Sequence, residues 1–181
     1  MGAQTHFVSV APIRPGRLRM VVLRAVLWWV GTLATILHNP RGLFSTQSIH
    51  FARWCLLPGR RMMFISNYDG GFGGYLGIFA TLGASGVSAI WTNIDGFPRG
   101  FALFGDGVRD EQRFKSYARS TQVETLLWYR RYPTLSVGAI GRHAVIREEL
   151  ARFARVRAQD GEHIPEADLD AFLRRFSVPR P

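Results

Sequence analysis

The sequence predicts an α+β fold built in the order β-α-β-β-α-β, and three observations lead to it. Short runs rich in β-branched and aromatic residues recur at 5–13, 48–57, 61–68 and 87–94, each closed by a turn signal. Between the first two lies the most apolar run of the chain, 20–37 (MVVLRAVLWWVGTLATIL), whose length suits a helix. Between the second and third stands only Pro58-Gly59-Arg60, a hairpin-sized turn.

Taken in order, the first strand (THFVSVAPI) ends at the Pro12/Pro15/Gly16 cluster. The hydrophobic helix follows, and His38-Asn39-Pro40-Arg41-Gly42 stops it, because proline cannot continue a helix. The second strand, SIHFARWCLL, sets Ile49, Phe51, Cys55 and Leu57 on one side and His50, Ala52, Trp54 and Leu56 on the other, so both faces read as at least partly covered. The third, RMMFISNY, leads to Asp69, which can cap a second helix over 72–82 whose start is weakened by five glycines. Glycines 83 and 86 end that helix, and VSAIWTNI is the fourth strand. This is the split ferredoxin-like arrangement, with two helices on one face of a four-stranded antiparallel sheet. The other face needs a cover, which 100–156 can supply: a helix at 110–121 with Phe114, Tyr117 and Ala118 inward, a strand at 124–132 and a long basic helix at 136–156. A last helix at 165–176 carries Leu169, Phe172, Leu173 and Phe176 on one stripe, before the basic ending SVPRP. The organisation is therefore one domain over 1–156, including the hydrophobic helix 17–38, and a C-terminal helix with its tail over 157–181.

Charge narrows the partners. The first 68 of 181 residues hold eight arginines and no acid, Asp69 being the first, and the whole chain has a net charge of +10. A polyanion, an anionic lipid surface or an acidic protein neighbour satisfies such a balance. Arginines flanking an apolar helix that bears two indoles are the pattern of a membrane surface: the cations meet headgroups and the indoles settle at the boundary. The candidate contact residues are Arg14, Arg17, Arg19, Arg24, Trp28 and Trp29. The uncharged part of the helix, 25–37, is short for crossing roughly 30 Å of hydrocarbon, so a helix packed on its own sheet or lying in the interface is expected before a true span. Helical spacing puts Val22, Val26, Trp29, Val30, Leu33 and Leu37 on one face, and Arg17, Arg24, Trp28, Gly31 and Thr35 on the other. No cleavable signal peptide is apparent, and the single Cys55 allows no internal disulfide.

The segments IHFARW (49–54), FISNYDG (64–70), AIWTNIDGFPR (89–99), RDEQRFKSYARSTQV (109–123) and WYRRYPTLSVGAI (128–140) resemble a group of bacterial proteins of uncharacterised function. In that group motifs of the type IHFARW, SNYDG and IWxNxxGFPR recur within longer, membrane-associated chains. The resemblance covers roughly residues 5–150 and implies a ferredoxin-like module with no established activity. A more distant likeness is to the dye-decolorizing haem peroxidases, built from ferredoxin-like modules with a GxxDG motif. Here Ser66 and Thr92 stand in place of that motif's first glycine, and GFGGYL replaces the group's polar helix start after the Asp-Gly.

Chemistry is sparse. His6, His38, His50, His143 and His163 form no metal-ligand spacing, and no cofactor or metal is expected. For haem, one axial histidine suffices; His50 or His143 is the candidate, with Asp69 or Asp95 and an arginine opposite. The repeated pieces ISNYDG and TNIDG read first as Asp-Gly turns, and more sharply as two acids, Asp69 and Asp95, lining one cleft at the same sheet end. Thus His50, Asp69, Asp95 and His143 are the candidate ligand-binding residues. No nucleophile elbow or phosphate loop is present, and RMMFISNY lacks the aromatic pattern of an RNA-binding sheet, which disfavours nucleic acid. The expectation is an accessory subunit, more a structural part than an enzyme, membrane-associated with its main domain in the cytoplasm, held by anionic lipid or by partners in a respiratory or photosynthetic type of complex. The alternative is a haem-dependent, peroxidase-like oxidoreductase or a relict of one.

Overall fold

A computed structural model describes residues 4–36, 48–81, 84–98, 110–159 and 166–176. The expected helix stop at 38–42, residues 99–109 and the ending SVPRP lie outside the described residues. The chain is α+β, with the elements β1 (Gln4–Pro12), α1 (Arg17–Ile36), β2 (Ile49–Leu57), β3 (Arg61–Asp69), α2 (Phe72–Thr81), α3 (Ala84–Trp91), α4 (Glu111–Ser120), α5 (Val137–Gln159) and α6 (Glu166–Arg174). They form two compact units, Met1–Val137 and Gly138–Pro181, a division that falls earlier than the expected one after residue 156.

In the first unit the sheet has the order β1-β3-β2, with β3 antiparallel to both neighbours. The hairpin joining β2 to β3 turns through Gly59 and Arg60, both at positive φ (73° and 55°), the conformation whose twist suits two antiparallel strands. Arg60 is held there because its Nη2 donates to the carbonyls of Arg14 and Gly16, each at 2.9 Å. Alternation along β1 and β3 sends Phe7, Ser9, Ala11, Met62, Phe64, Ser66 and Tyr68 to one buried face. No residue of the edge strand β2 is fully buried, but most on both sides are half-buried, in line with the expected partial cover of its two faces.

The fourth strand is not formed: α3 occupies most of 87–94 as a helix. Its β-branched residues suggest a strand, yet Ser88 and Trp91, and Ile90 and Ile94, bury at three- and four-residue spacing. Packing against α1 outweighs a strand preference that amounts to little more than fitness for a half-buried sheet. The free edge of β1 is met instead by residues 121–123, where Val10 N donates to the Thr121 carbonyl (3.0 Å) and Val123 N to the Val8 carbonyl (2.9 Å). The strand expected at 124–132 is extended chain without ladder pairing, because its apolar residues come in pairs, Leu126-Leu127 and Trp128-Tyr129, and cannot alternate between two faces.

The α2 glycines have a packing reason. A Cβ at Gly77 would lie 3.4 Å from Glu111 Oε1 and one at Gly73 3.7 Å from Lys115 Nζ, so they admit α4, whose Glu111 and Lys115 pair with each other. α4 follows its expectation closely, capped by Asp110 (Arg113 N to Oδ1, 3.1 Å) with Phe114, Tyr117 and Ala118 buried. Tyr68 and Tyr75 stack at 3.7 Å, and Trp54, Phe64 and Trp91 meet at 4.9 to 6.0 Å between centroids.

Helix α1 packs on this core through Leu23, fully buried, with Met20, Val26, Leu27 and Val30 beside it. The expected face is turned by one residue step, leaving Val22, Trp29 and Leu33 exposed. On a helix apolar nearly all round, fit to the sheet selects the buried stripe, since hydropathy cannot. In the second unit α5 and α6 meet through stacked Phe153 and Phe172 (5.0 Å); Phe172 is buried, while Leu169 and Leu173 of the expected stripe are exposed.

Leu23→Ala is expected to lower stability by about 2–5 kcal/mol in denaturant titration, and Val21→Ala by less than about 0.5 kcal/mol. Equal costs would mean that α1 does not pack by this stripe. Burial also raises the Tyr68 phenol from 10.0 to about 12 and lifts those of Tyr75 and Tyr117 as well. Phenols that stay protonated in the fold but ionise near 10 when unfolded contribute fully below that pH and lose the contribution as pH rises toward 12. Stability should therefore fall between about pH 9.5 and pH 12, less steeply in Tyr68→Phe; an unaltered slope in that variant would show that Tyr68 ionises normally.

Candidate functional site

Two places gather the residues singled out by sequence. The first is the end of β3, where β2 carries a bulge between Ile49 and Phe51, so that the extra residue is His50. The carbonyl of Phe51 is taken up by Ser66 Oγ at 3.0 Å. A bulge re-aims its side chain, and His50 Nε2 lies 2.9 Å from Asp69 Oδ1, with only 15% and 13% of the two side chains exposed. The other carboxylate oxygen accepts the Val137 amide at 2.7 Å, at the start of α5. Asp69 thus serves His50 and Val137, not the start of α2 as expected. Gly70 follows at φ 91°, its carbonyl accepting from Thr5 Oγ1 at 2.7 Å.

Next to this lies a corner of the outer sheet face built around Trp128. The rings of His6 and Trp128 sit 4.5 Å apart, and the Arg130 guanidinium lies 4.4 Å from the indole. Asn67, with its amide oxygen toward the indole, accepts from Trp128 Nε1 at 3.2 Å. Arg130 also donates to the Gln4 carbonyl at 3.3 Å, and Gln4 Nε2 donates to the Leu135 carbonyl. These contacts tie 128–135 to β1 without a ladder; the bulge and this tie had no signal in the sequence beyond the residues themselves.

Asp95 is not part of that corner. Asp69 pairs with Gln4 at one end of β1, whereas the Asp95 amide donates to the Pro12 carbonyl (2.8 Å) at the other, so the strand length alone separates the two acids by roughly 26 Å. The shared cleft is therefore excluded, and the bland turn reading holds: Gly96 at φ 74° follows Asp95 just as Gly70 follows Asp69. His143 is exposed on α5 in the second unit. Among the described residues no group of three or more His, Cys, Asp or Glu gathers to hold a metal ion. The core space between the sheet and α2–α4 is filled by the Trp54, Phe64 and Trp91 rings, leaving about 10 Å³ beside Phe7 and Leu76. That volume holds about one water, so a haem has no room there.

The second place is α1. Arg14 Nε and Nη2 donate to the carbonyls of Ile94 and Phe97, both at 3.1 Å, and Arg19 Nη1 reaches the Thr92 carbonyl at 3.5 Å. Both cations face the carbonyl end of α3, where positive charge is favoured. They are committed to the fold, unlike the expected outward contacts. Arg17 and Arg24 remain exposed, with Leu18, Val21, Trp28 (63%), Trp29 (58%), Leu33 and Ile36. The two indoles meet edge to face at 5.2 Å. Thr32 and Thr35 donate their hydroxyls back to the Trp28 and Gly31 carbonyls (2.8 and 2.9 Å), so this end of the helix presents little polarity. No described helix is long and apolar enough to cross a membrane.

No family model, curated protein or solved structure matches the chain.

Asp69→Ala removes the acceptor of both His50 and Val137 and is expected to cost about 1–3 kcal/mol in denaturant titration. A loss below about 0.5 kcal/mol would show that neither contact is held in solution.

Proposed function

We propose that the protein is an accessory subunit of a bacterial membrane protein complex, an α+β module whose α1 rests in an anionic membrane interface while its main domain faces the cytoplasm. One observation carries the reading: the exposed side of α1 combines Trp28, Trp29 and aliphatic residues with Arg17 and Arg24, inside a stretch without a single acid. Indoles and guanidinium groups on one helix side suit the headgroup boundary, where each cation near the surface contributes about 1 kcal/mol. Adjacent exposed indoles beside exposed aliphatic side chains suit an interaction surface. The α+β core supports the module reading through β3, which lies between β1 and β2 as in the split β-α-β unit. The likeness of the IHFARW and SNYDG segments to modules of membrane-associated chains points the same way.

In vesicle flotation the protein is expected to rise with phosphatidylglycerol-containing vesicles and much less with phosphatidylcholine alone. Arg24→Glu should weaken that association about tenfold or more, and the double change Trp28→Ser, Trp29→Ser should abolish it, both without loss of fold by circular dichroism. Equal flotation of wild type and both variants would remove the proposal.

A further inference from the structure

Between the C-terminal half of α1 and the free edge of β2 runs a groove of about 490 Å³, lined by Leu27, Val30, Gly31, Ile49, Ala52 and Trp54, with Phe51 and Arg53 at its rim. That volume falls within the roughly 300–1,000 Å³ of small-ligand sites, and among the described residues the lining is apolar but for one cation. Its length along β2 from Ile49 to Trp54 is roughly 17 Å, so the shape is long and narrow. Gly31 forms part of the wall, and a Cβ placed there meets nothing within 4 Å, so the space beside it is open. Arg53 is exposed and forms no ion pair or hydrogen bond among the described residues. No acid precedes Asp69 in the sequence, 16 residues beyond Arg53.

We infer that this groove holds the acyl chain of an anionic lipid, with its carboxylate or phosphate head paired to Arg53. The charge argument selects the ligand: an apolar slot accepts any hydrocarbon, but an unpaired guanidinium at its mouth favours an anionic head, to which it can donate two parallel hydrogen bonds. The inference deepens the membrane reading yet does not need a bilayer to be tested.

The probe is dibromostearate, whose bromines quench a nearby indole, titrated below its aggregation threshold into the full chain in detergent-free buffer. Wild type should show saturable quenching, most of it lost in Trp54→Phe. Gly31→Leu fills the groove from a position with open space around it and should weaken binding at least about tenfold while its melting temperature stays that of wild type. Arg53→Gln should weaken dibromostearate about tenfold but leave the matching brominated alcohol unaffected, as expected when only the charge pairing is lost. Absence of saturable quenching in wild type, or equal binding by Gly31→Leu, overturns the inference. So does failure to bind combined with a lower melting temperature in Gly31→Leu, which would assign the groove to the chain's own residues 37–47. Flotation run in parallel separates the two proposals: binding of the fatty acid without vesicle association removes the membrane reading alone, and vesicle association without fatty-acid binding removes the groove alone.

Discussion

Alternation along β3 commits Met62, Phe64, Ser66 and Tyr68 to one side of the sheet, and the rest of the first unit is arranged to keep those four out of water. β3 is the central strand, hydrogen-bonded on both edges, so its side chains cannot be reoriented without breaking both ladders at once. Trp54 from β2 and Trp91 from α3 close over Phe64, Tyr75 from α2 stacks on Tyr68, and α1 adds Leu23. Each helix is positioned by a large side chain it lends to this face. Dense aromatic packing of that kind resists rearrangement, because any shift opens a void whose walls lose their contacts.

A consequence of the single covered face is that α1 has more apolar surface than the sheet can use. Five of its residues turn inward, and the indoles and several aliphatics are left outside. A helix needing only to cover a sheet has no use for two adjacent exposed tryptophans, which hold apolar area in water at a free-energy cost. The outer sheet face shows a milder form of the same condition: Trp128 covers one corner through His6 and Asn67, while Val8, Val10, Met63 and Ile65 stay half-buried.

The arginines divide by what they touch. Arg14, Arg19 and Arg60 donate to backbone carbonyls around the β1–α1 turn and the end of α3, and so act as braces there. A guanidinium suits that task because its donors are fixed in a fork and can reach two carbonyls at once. Arg17, Arg24 and Arg53 remain at the surface, and they alone of those discussed can meet an outside anion.

The strands β1, β2 and β3, the hairpin at Gly59 and the whole of α4 were legible in the sequence, since each rests on a local pattern: alternation, a turn glycine, apolar residues at helical spacing. Composition likewise determined that the N-terminal third is basic and that α1 is apolar. Only the tertiary structure decided the rest, because those choices depend on what lies across the chain. Residues 87–94 suit strand or helix until α1 offers a surface to pack on. The bulge at His50, and with it the Asp69 contact, arises from register against β3. Asp69 and Asp95 share a motif yet stand at opposite ends of β1, since a local Asp-Gly turn contains no information about which end of the sheet it closes. Which side of α1 faces water was likewise settled by shape against Trp54 and Trp91, a fit that no helical periodicity encodes when nearly every position is apolar.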